Sequence, residues 1–475
     1  MTIIGRKAEQ ELLKQCLDSK KSEFLAIYGR RRVGKTFLVK EAFANQFFFY
    51  ATGILDENKS LSIQLENFND ELADQGGSEF ARAQDWQEAF RNLNRLVEQT
   101  PGNAKKVIFL DEIPWMATQN SGFLAALDHF WNRWASSRND VLLIICGSAT
   151  SWIIDNVINN RGGLHNRLTR QIQLAPFTLS ECEEFFDSNG FVMTHYQIAE
   201  AYMIFGGVPY YLSLMNPRQD LNQIVDDVYF RAGAPLQNEF GNLFRSLFRN
   251  PSNHVAVVEA LASKAKGLKR NEIVEQTGLS DGGGLTRVLE DLEQCGFIRV
   301  YRAFGKALQG KTYQLTDAFV LFHLRFSDKR ERYSGNYWQQ FSSTPGHSSW
   351  SGYAFEQVCL LHAENIKKKL GIAGVLTEVS SWRSASSEPG AQVDLVIDRA
   401  DNVINLCEIK YAKGEYSVTK EDYLSLHNKM SAFSAETRTR KALRVTLVTT
   451  FGVRPNKYSA EFNSQVTLDD LFAPL

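Results

Sequence analysis

The chain has 475 residues, room for about three domains at ~150 residues each. Its 44% hydrophobic and 23% charged residues are those of an ordinary folded protein with apolar material for several cores. Against 54 Asp+Glu, 53 Lys+Arg leave a formal charge of -1, so no global basic excess announces nucleic acid. The charge is uneven, however: residues 255–345 hold 13 basic against 10 acidic side chains, whereas residues 1–254 hold 25 against 29. No apolar run approaches the ~18 residues that span a bilayer. The opening MTIIGRKAEQ lacks the layout of a signal peptide. Six scattered cysteines without a CxxC pair argue against a disulfide framework or zinc site. A reducing cytoplasm and no membrane partner are therefore expected.

Three patterns follow one another. Up to about residue 177, apolar strands alternate with helical stretches: Phe24–Gly29, a helix from Lys35, Lys106–Leu110, a helix over Phe123–Ser136, and Val141–Gly147. Such alternation predicts a mainly parallel sheet covered by helices. The aromatic run Phe47–Tyr50 reads as a buried strand rather than a base-stacking platform. Ser180 to about Arg249 is helical, with breaks at Gly206-Gly207 and Pro209. Residues 254–335 read as three helices and a hairpin, and Ser342–Ser351 as a linker. From about Trp350 come a helix, strands over Gln392–Ile397 and Val403–Tyr411, another helix, and a strand at Arg444–Thr450.

Gly29-Arg30-Arg31-Arg32-Val33-Gly34-Lys35-Thr36 fits GxxxxGK[ST] without a mismatch, between an apolar strand and a helix that continues with Phe37. Backbone N–H groups and the helix N-terminus form an anion nest there. Lys35 can reach the β- and γ-phosphates of ATP, and Thr36 can place its hydroxyl on Mg²⁺. The strand ending Asp111-Glu112 supplies a carboxylate for the Mg²⁺ shell and another to polarise the attacking water. After the strand ending at Gly147, Ser148 is either a sensor of the γ-phosphate or a turn cap.

Ile4-Gly5-Arg6 with Glu9 and Leu12, the loop GRRRVGKT, FLDEIPWM, IICGSATSW and Phe205–Leu212 together resemble the archaeal-type ATPase family, in the AAA+/STAND-like group of P-loop ATPases. The resemblance covers roughly residues 1–250. It implies an α/β ATPase core followed by a helical lid, with Ile4, Gly5 and Arg6 lining the nucleotide pocket and Pro209 near the adenine. It further implies an arginine before the last strand that acts on a neighbour's γ-phosphate. Arg167 inherits that role, with Arg161 and Arg170 as rivals, and the ATPase would then work as a homo-oligomer.

In the basic middle segment, Arg270–Ser280 reads as a short helix, followed by a second with Leu285, Val288, Leu289 and Leu292 at helical spacing. Phe297–Tyr301 and Lys311–Leu315 can pair around Gly305 and Gly310, which gives a winged helix-turn-helix layout. Arg299, Arg302, Lys306, Lys311, Arg325, Lys329, Arg330 and Arg332 make it basic enough to contact a DNA backbone. The would-be recognition helix opens Asp281-Gly282-Gly283-Gly284, which offers little for reading base edges.

A second chemical signal lies near the C-terminus. If the hairpin between Gln392–Ile397 and Val403–Lys410 centres on Asp401, Asp394 and Glu408 oppose one another, and Lys410 shares their face. Two facing acids repel unless a divalent cation sits between them, and a lysine beside them can hold a water or transition-state charge. A helix beginning near Trp350 can aim Glu356 at the same metal. The set Glu356, Asp394, Glu408-Ile409-Lys410 resembles the PD-(D/E)XK nuclease superfamily, over roughly residues 345–475.

The expected architecture is α/β: a P-loop ATPase core at 1–178, a helical lid at 179–250, a winged helix at 251–341 and a restriction-endonuclease-like α/β domain at 345–475. The expected function is an ATP- and Mg²⁺-dependent DNA-processing protein in which the ATPase controls a nuclease, in defence against foreign DNA or mobile-element biology. The alternative is a nucleotide-dependent switch or scaffold whose nuclease-like domain only binds DNA or protein.

Overall fold

The computed structural model describes residues 2–55, 60–102, 104–118, 120–159, 164, 166–248, 250–302, 304, 311–332, 336–384, 391–462 and 464–474. The chain divides into two compact units, one of Met1–Ala175 with Arg245–Arg249, the other of Pro176–Phe244 with Asn250–Leu475. The expected winged-helix and C-terminal segments thus fall in one unit with most of the expected lid, whose Arg245–Arg249 belong to the other.

The first unit is built on a parallel sheet of β1 (Glu23–Tyr28), β2 (Phe49–Thr52), β3 (Lys106–Asp111), β4 (Val141–Gly147) and β5 (Arg170–Gln173), in the order β2-β3-β4-β1-β5. Strands β1, β3 and β4 are buried along their whole length, as parallel strands covered on both faces must be. One apolar layer, with Phe68, Trp86, Phe90, Phe123, Phe130 and Trp131, packs on one face. The other face carries Leu13, Leu38, Val39 and Phe43. The aromatic run enters this sheet two residues later than expected: Phe49 begins β2, and the Phe47 ring lies 5.5 Å from Phe109.

Register sets the working edge of this sheet. Tyr28 pairs with Gly147, Leu110 with Ile145 and Thr52 with Asp111. The residues following β1, β3 and β4 therefore emerge together at the carboxyl ends of the strands. Strand order reverses there between β1 and its neighbours, which is where open α/β sheets bind ligands.

In the second unit, helices Leu179–Ser188, His195–Phe205, Pro209–Leu212 and Leu221–Val225 come first. Helix Pro251–Ala262 is followed by β6 (Leu268–Lys269), helices Arg270–Thr277 and Gly283–Gln294, β7 (Ile298–Arg302) and β8 (Lys311–Leu315). These strands form an antiparallel sheet in the order β6-β8-β7. The turn expected at Gly305 and Gly310, with Lys306, lies outside the described residues.

The expected linker is helical instead. Thr344 caps helix Pro345–Leu361 through its hydroxyl, which accepts from the His347 N–H, and Pro345 occupies the first turn. Proline there costs no hydrogen bond and its fixed φ suits a helix start. Trp338, His347 and Trp350 pack together beside Phe322 and Phe326, so this stretch belongs to a core.

A second five-stranded sheet follows, made of β9 (Thr377–Arg383), β10 (Gln392–Arg399), β11 (Val403–Lys410), β12 (Ala442–Thr449) and β13 (Ser464–Thr467), in the order β13-β12-β11-β10-β9. Strands β9, β10 and β11 are antiparallel, whereas β11, β12 and β13 run parallel. Helix Lys420–Thr437 makes the crossover from β11 to β12, as a parallel pair requires.

Candidate nucleotide and carboxylate–lysine sites

The loop after β1 has a backbone that side-chain chemistry alone would not choose. Gly29 sits at φ +147, and a Cβ there would lie 2.2 Å from the Leu174 carbonyl oxygen. Gly34, at φ +89, turns the chain into helix Lys35–Ala42; both positions favour glycine. Lys35 is buried and donates to the carbonyls of Gly29 and Arg30, each at 2.9 Å. Its ammonium is thereby held within the loop that would cradle phosphates. Arg30 and Val33 are buried, Arg31 and Arg32 half-buried, and Phe37 exposed.

Thr36 and Asp111, far apart in sequence, meet here: the Thr36 hydroxyl donates to Asp111 Oδ2 at 2.7 Å. Burial raises the Asp111 carboxyl above its usual range, while the Thr36 hydrogen bond works against that shift. Glu112 adopts φ 50, uncommon for a residue with a side chain, at the start of the turn Ile113–Met116. That conformation turns its carboxylate towards β4, where it accepts from the Ser148 N–H at 3.1 Å and from the Ser148 hydroxyl. Ser148 therefore engages Glu112 directly.

Gly5 and Arg6 have positive φ, and the buried Arg6 donates to the Ala175 carbonyl at 2.6 Å. Ile4 beside them is half-buried. Arg167 is exposed on the turn before β5, Arg170 is exposed at its first position, and Arg161 lies outside the described residues. Pro209 is at the first position of helix Pro209–Leu212, in the other unit.

The second cluster spans the β10–β11 hairpin. Its register runs from Asp398 opposite Ile404 to Leu395 opposite Cys407, so the hairpin centres on residue 401. Asp394 stands one step beyond, and its Oδ2 accepts the Ile409 N–H at 3.2 Å. Glu356, from helix Pro345–Leu361, reaches the same place. Between these two acids lies an ammonium from elsewhere, that of Lys266, 3.0 Å from Asp394 Oδ1 and bonded to Glu356 Oε2. Burial, and then the Asp394 charge, raise the Glu356 carboxyl above its ordinary range. Burial alone would depress the Lys266 ammonium, but Asp394 and Glu356 raise it.

Glu408 is buried and held separately. Lys410 lies 3.1 Å from its Oε1, and Lys429, from helix Lys420–Thr437, 2.7 Å from its Oε2. A small cavity beside this pair is lined by Glu408, Lys410, Tyr416 and Asp422 among others. Among the described residues, no three His, Cys, Asp or Glu side chains converge as a group able to hold a metal ion. The three carboxylates are divided between two ammonium clusters. Neither Lys266 nor Lys429 stands out in the sequence, because each is far along the chain from the acids it meets.

In the middle segment, Arg299 is half-buried and donates to Gln314 Oε1 at 2.6 Å. It is therefore committed within the sheet. Lys311 and Arg325 are exposed, and helix Gly283–Gln294 opens with Gly283 and Gly284, each with open space around it. Among the described residues, no helix is long and apolar enough to cross a membrane.

Residues 4–215 match a family described as an ATPase domain predominantly from Archaea. A protein of Methanocaldococcus jannaschii described as uncharacterized protein MJECL04 is 23% identical over 432 residues, covering 90% of this chain and 91% of that one. Among solved structures, the Walker-type ATPase PABY2304 of Pyrococcus abyssi aligns with a TM-score of 0.49 at 18% identity, over 68% of this chain and 96% of its own. The ORC2 protein of Aeropyrum pernix, in ADPNP–ADP complexes, aligns with a TM-score of 0.37 at 13% identity, over 69% and 94%. The family match contains the phosphate loop, Asp111, Glu112 and Ser148, and supports a nucleotide-binding P-loop ATPase.

Proposed function

We propose that this chain is an ATP-hydrolysing DNA-processing protein in which the P-loop domain controls a Mg²⁺-dependent nuclease site built from Glu356, Asp394, Glu408 and Lys410. The observation that carries the reading is the bringing together of Glu356 and Asp394, 38 residues apart, around a single positive charge. The donors are carboxylate oxygens, the hard ligands that Mg²⁺ takes. Two acids with side chains 15% and 12% exposed, gathered around a cation, fit such an ion; Glu408, buried on the neighbouring strand, would have to leave its two lysines to join them. When bound, the ion would polarise a phosphodiester and lower the pKa of a water. Within the protein, the Ile409 N–H orients Asp394, and Lys410 offers a positive charge beside Glu408.

DNA would be held through its backbone by the basic middle segment, read as a winged helix, and by the nuclease-like domain. Lys311 and Arg325 are exposed for that contact. We assign Arg167, exposed before β5, to the nucleotide of a neighbouring protomer in a homo-oligomer. The combination of parts suggests a role in defence against foreign DNA or in mobile-element biology.

A second reading, a nucleotide-dependent switch with an inactive nuclease-like domain, is favoured by the engagement of Glu408 with two lysines. The test incubates the protein with Mg²⁺ or Mn²⁺ and plasmid, linear or single-stranded DNA, with and without ATP. Lys410→Ala and Asp394→Asn are expected to lower cleavage at least ~tenfold while ATP hydrolysis persists. Arg167→Ala, in the same assay, is expected to lower ATP turnover. No cleavage of any substrate, with hydrolysis intact, would favour the switch. Turnover unaffected by Arg167→Ala would remove the neighbour's arginine.

A further inference from the structure

Lys266 does not belong to the segment whose acids it joins. It sits on the turn between helix Pro251–Ala262 and β6, 90 residues from Glu356 and 128 from Asp394. The turn is fastened to two strands of the three-stranded sheet. The Tyr301 hydroxyl on β7 donates to the Lys266 carbonyl, and the Gln314 side chain on β8 donates to the Ala265 carbonyl at 2.6 Å. The Gly267 N–H closes the turn on the Lys264 carbonyl at 2.7 Å. Gly267 has φ +81, and a Cβ there would stand 2.3 Å from the Tyr313 carbonyl oxygen. The lysine is thus presented by a rigid turn whose position follows that of β7 and β8.

Its two partners are two of the three acids in the metal reading. The side chains of Lys266, Glu356 and Asp394 are 24%, 15% and 12% exposed, so water screens their attraction weakly. A lysine that merely tied two segments together would need one carboxylate at their margin. This one enters between a pair, where two negative charges need a cation to lie so close. Lysine supplies one positive charge there and a divalent ion would supply two. The two occupants exclude one another, since the ammonium uses one oxygen of each acid.

We propose that Lys266 is a built-in cation, carried by the 251–341 segment, which occupies the position between Glu356 and Asp394 and must withdraw before a divalent metal binds. The C-terminal site is then held off whenever the three-stranded sheet keeps its present position, and a shift of that sheet releases it. The inference rests on the metal-site reading given above.

The full-length protein tests it with Mn²⁺ as the probe, by titration calorimetry or by the loss of the free-ion electron spin resonance signal. Lys266→Met is expected to bind Mn²⁺ at least ~tenfold more tightly than the unaltered chain, because the competing charge is gone. Adding Asp394→Asn should abolish that gain. Equal affinity in the unaltered chain and Lys266→Met, abolished in both by Asp394→Asn, would overturn the built-in cation and leave the metal site standing. No Mn²⁺ binding in either would overturn both. A second measurement needs no variant: acetylation of Lys266 by acetic anhydride, read by mass spectrometry, should rise as Mn²⁺ saturates the unaltered protein. Reactivity that stays flat while Mn²⁺ binds would overturn the proposal.

Discussion

Replacing Glu112 by glutamine is expected to cut ATP turnover by about two to three orders of magnitude, the range of a lost general base. Nucleotide affinity should stay within about twofold, since in this reading the loop backbone and Lys35 would hold the phosphates. The expectation comes from position. The left-handed backbone of Glu112, φ 50, places its carboxylate one residue past Asp111, whose partner Thr36 lies in the first turn of the helix behind the phosphate loop. Ser148 gives that carboxylate two hydrogen bonds, which fix its orientation without neutralising it. Glutamine keeps the size and one acceptor but cannot take a proton from water. Steady-state phosphate release and equilibrium binding of a fluorescent ATP analogue separate the two effects. Turnover that survives would move water activation to another group.

The parts of this arrangement that were legible in the sequence are those whose geometry is local. A phosphate loop is eight consecutive residues whose glycines answer to backbone conformation, and Gly29 and Gly34 both have positive φ. The β10–β11 hairpin likewise carries its own register, and the pairing centred on residue 401 follows from the turn. Strand β9 carries little signal in the sequence, because TEVSSWR is largely polar and only its alternate residues Ser380 and Trp382 are buried. The helix is legible from about Trp350, but its start at Pro345 resembles a linker because it is rich in Gly, Ser and His. The signal that outweighed composition is the Thr-Pro pair at its start. Lys266 had no local signal at all: it lies in a run of lysines and arginines, and what distinguishes it is a pair of acids supplied by the tertiary fold.

Asp140→Ala is expected to lower the stability of the P-loop unit by about 3–5 kcal/mol, the cost of stranding a buried charge. Lys106 opens β3, and its side chain is 7% exposed. Its ammonium lies 2.9 Å from Asp140 Oδ2, and Arg138 approaches the other oxygen at 2.7 Å. The Lys106 N–H also donates to the Asp140 carbonyl at 2.6 Å, so the pair ties the start of β3 to the start of β4. Slippage between these strands would carry Asp111 and Glu112 out of line with Ser148, so activity should fall together with stability. The Arg138 hydrogen bonds, ahead of the contribution of Lys106, hold the Asp140 carboxyl down to about 2 from an ordinary 3.8. A carboxyl depressed by folding stabilises fully above its unfolded pKa and loses that contribution as pH falls through the folded value. The difference in urea-unfolding free energy between the unaltered chain and Asp140→Ala should therefore hold from neutral pH to about 4 and shrink towards pH 2. Adding Lys106→Met should recover part of the loss by removing the stranded ammonium. A difference under about 1 kcal/mol at neutral pH, the worth of an exposed pair, would mean that water reaches this triad and that other contacts hold β3 against β4.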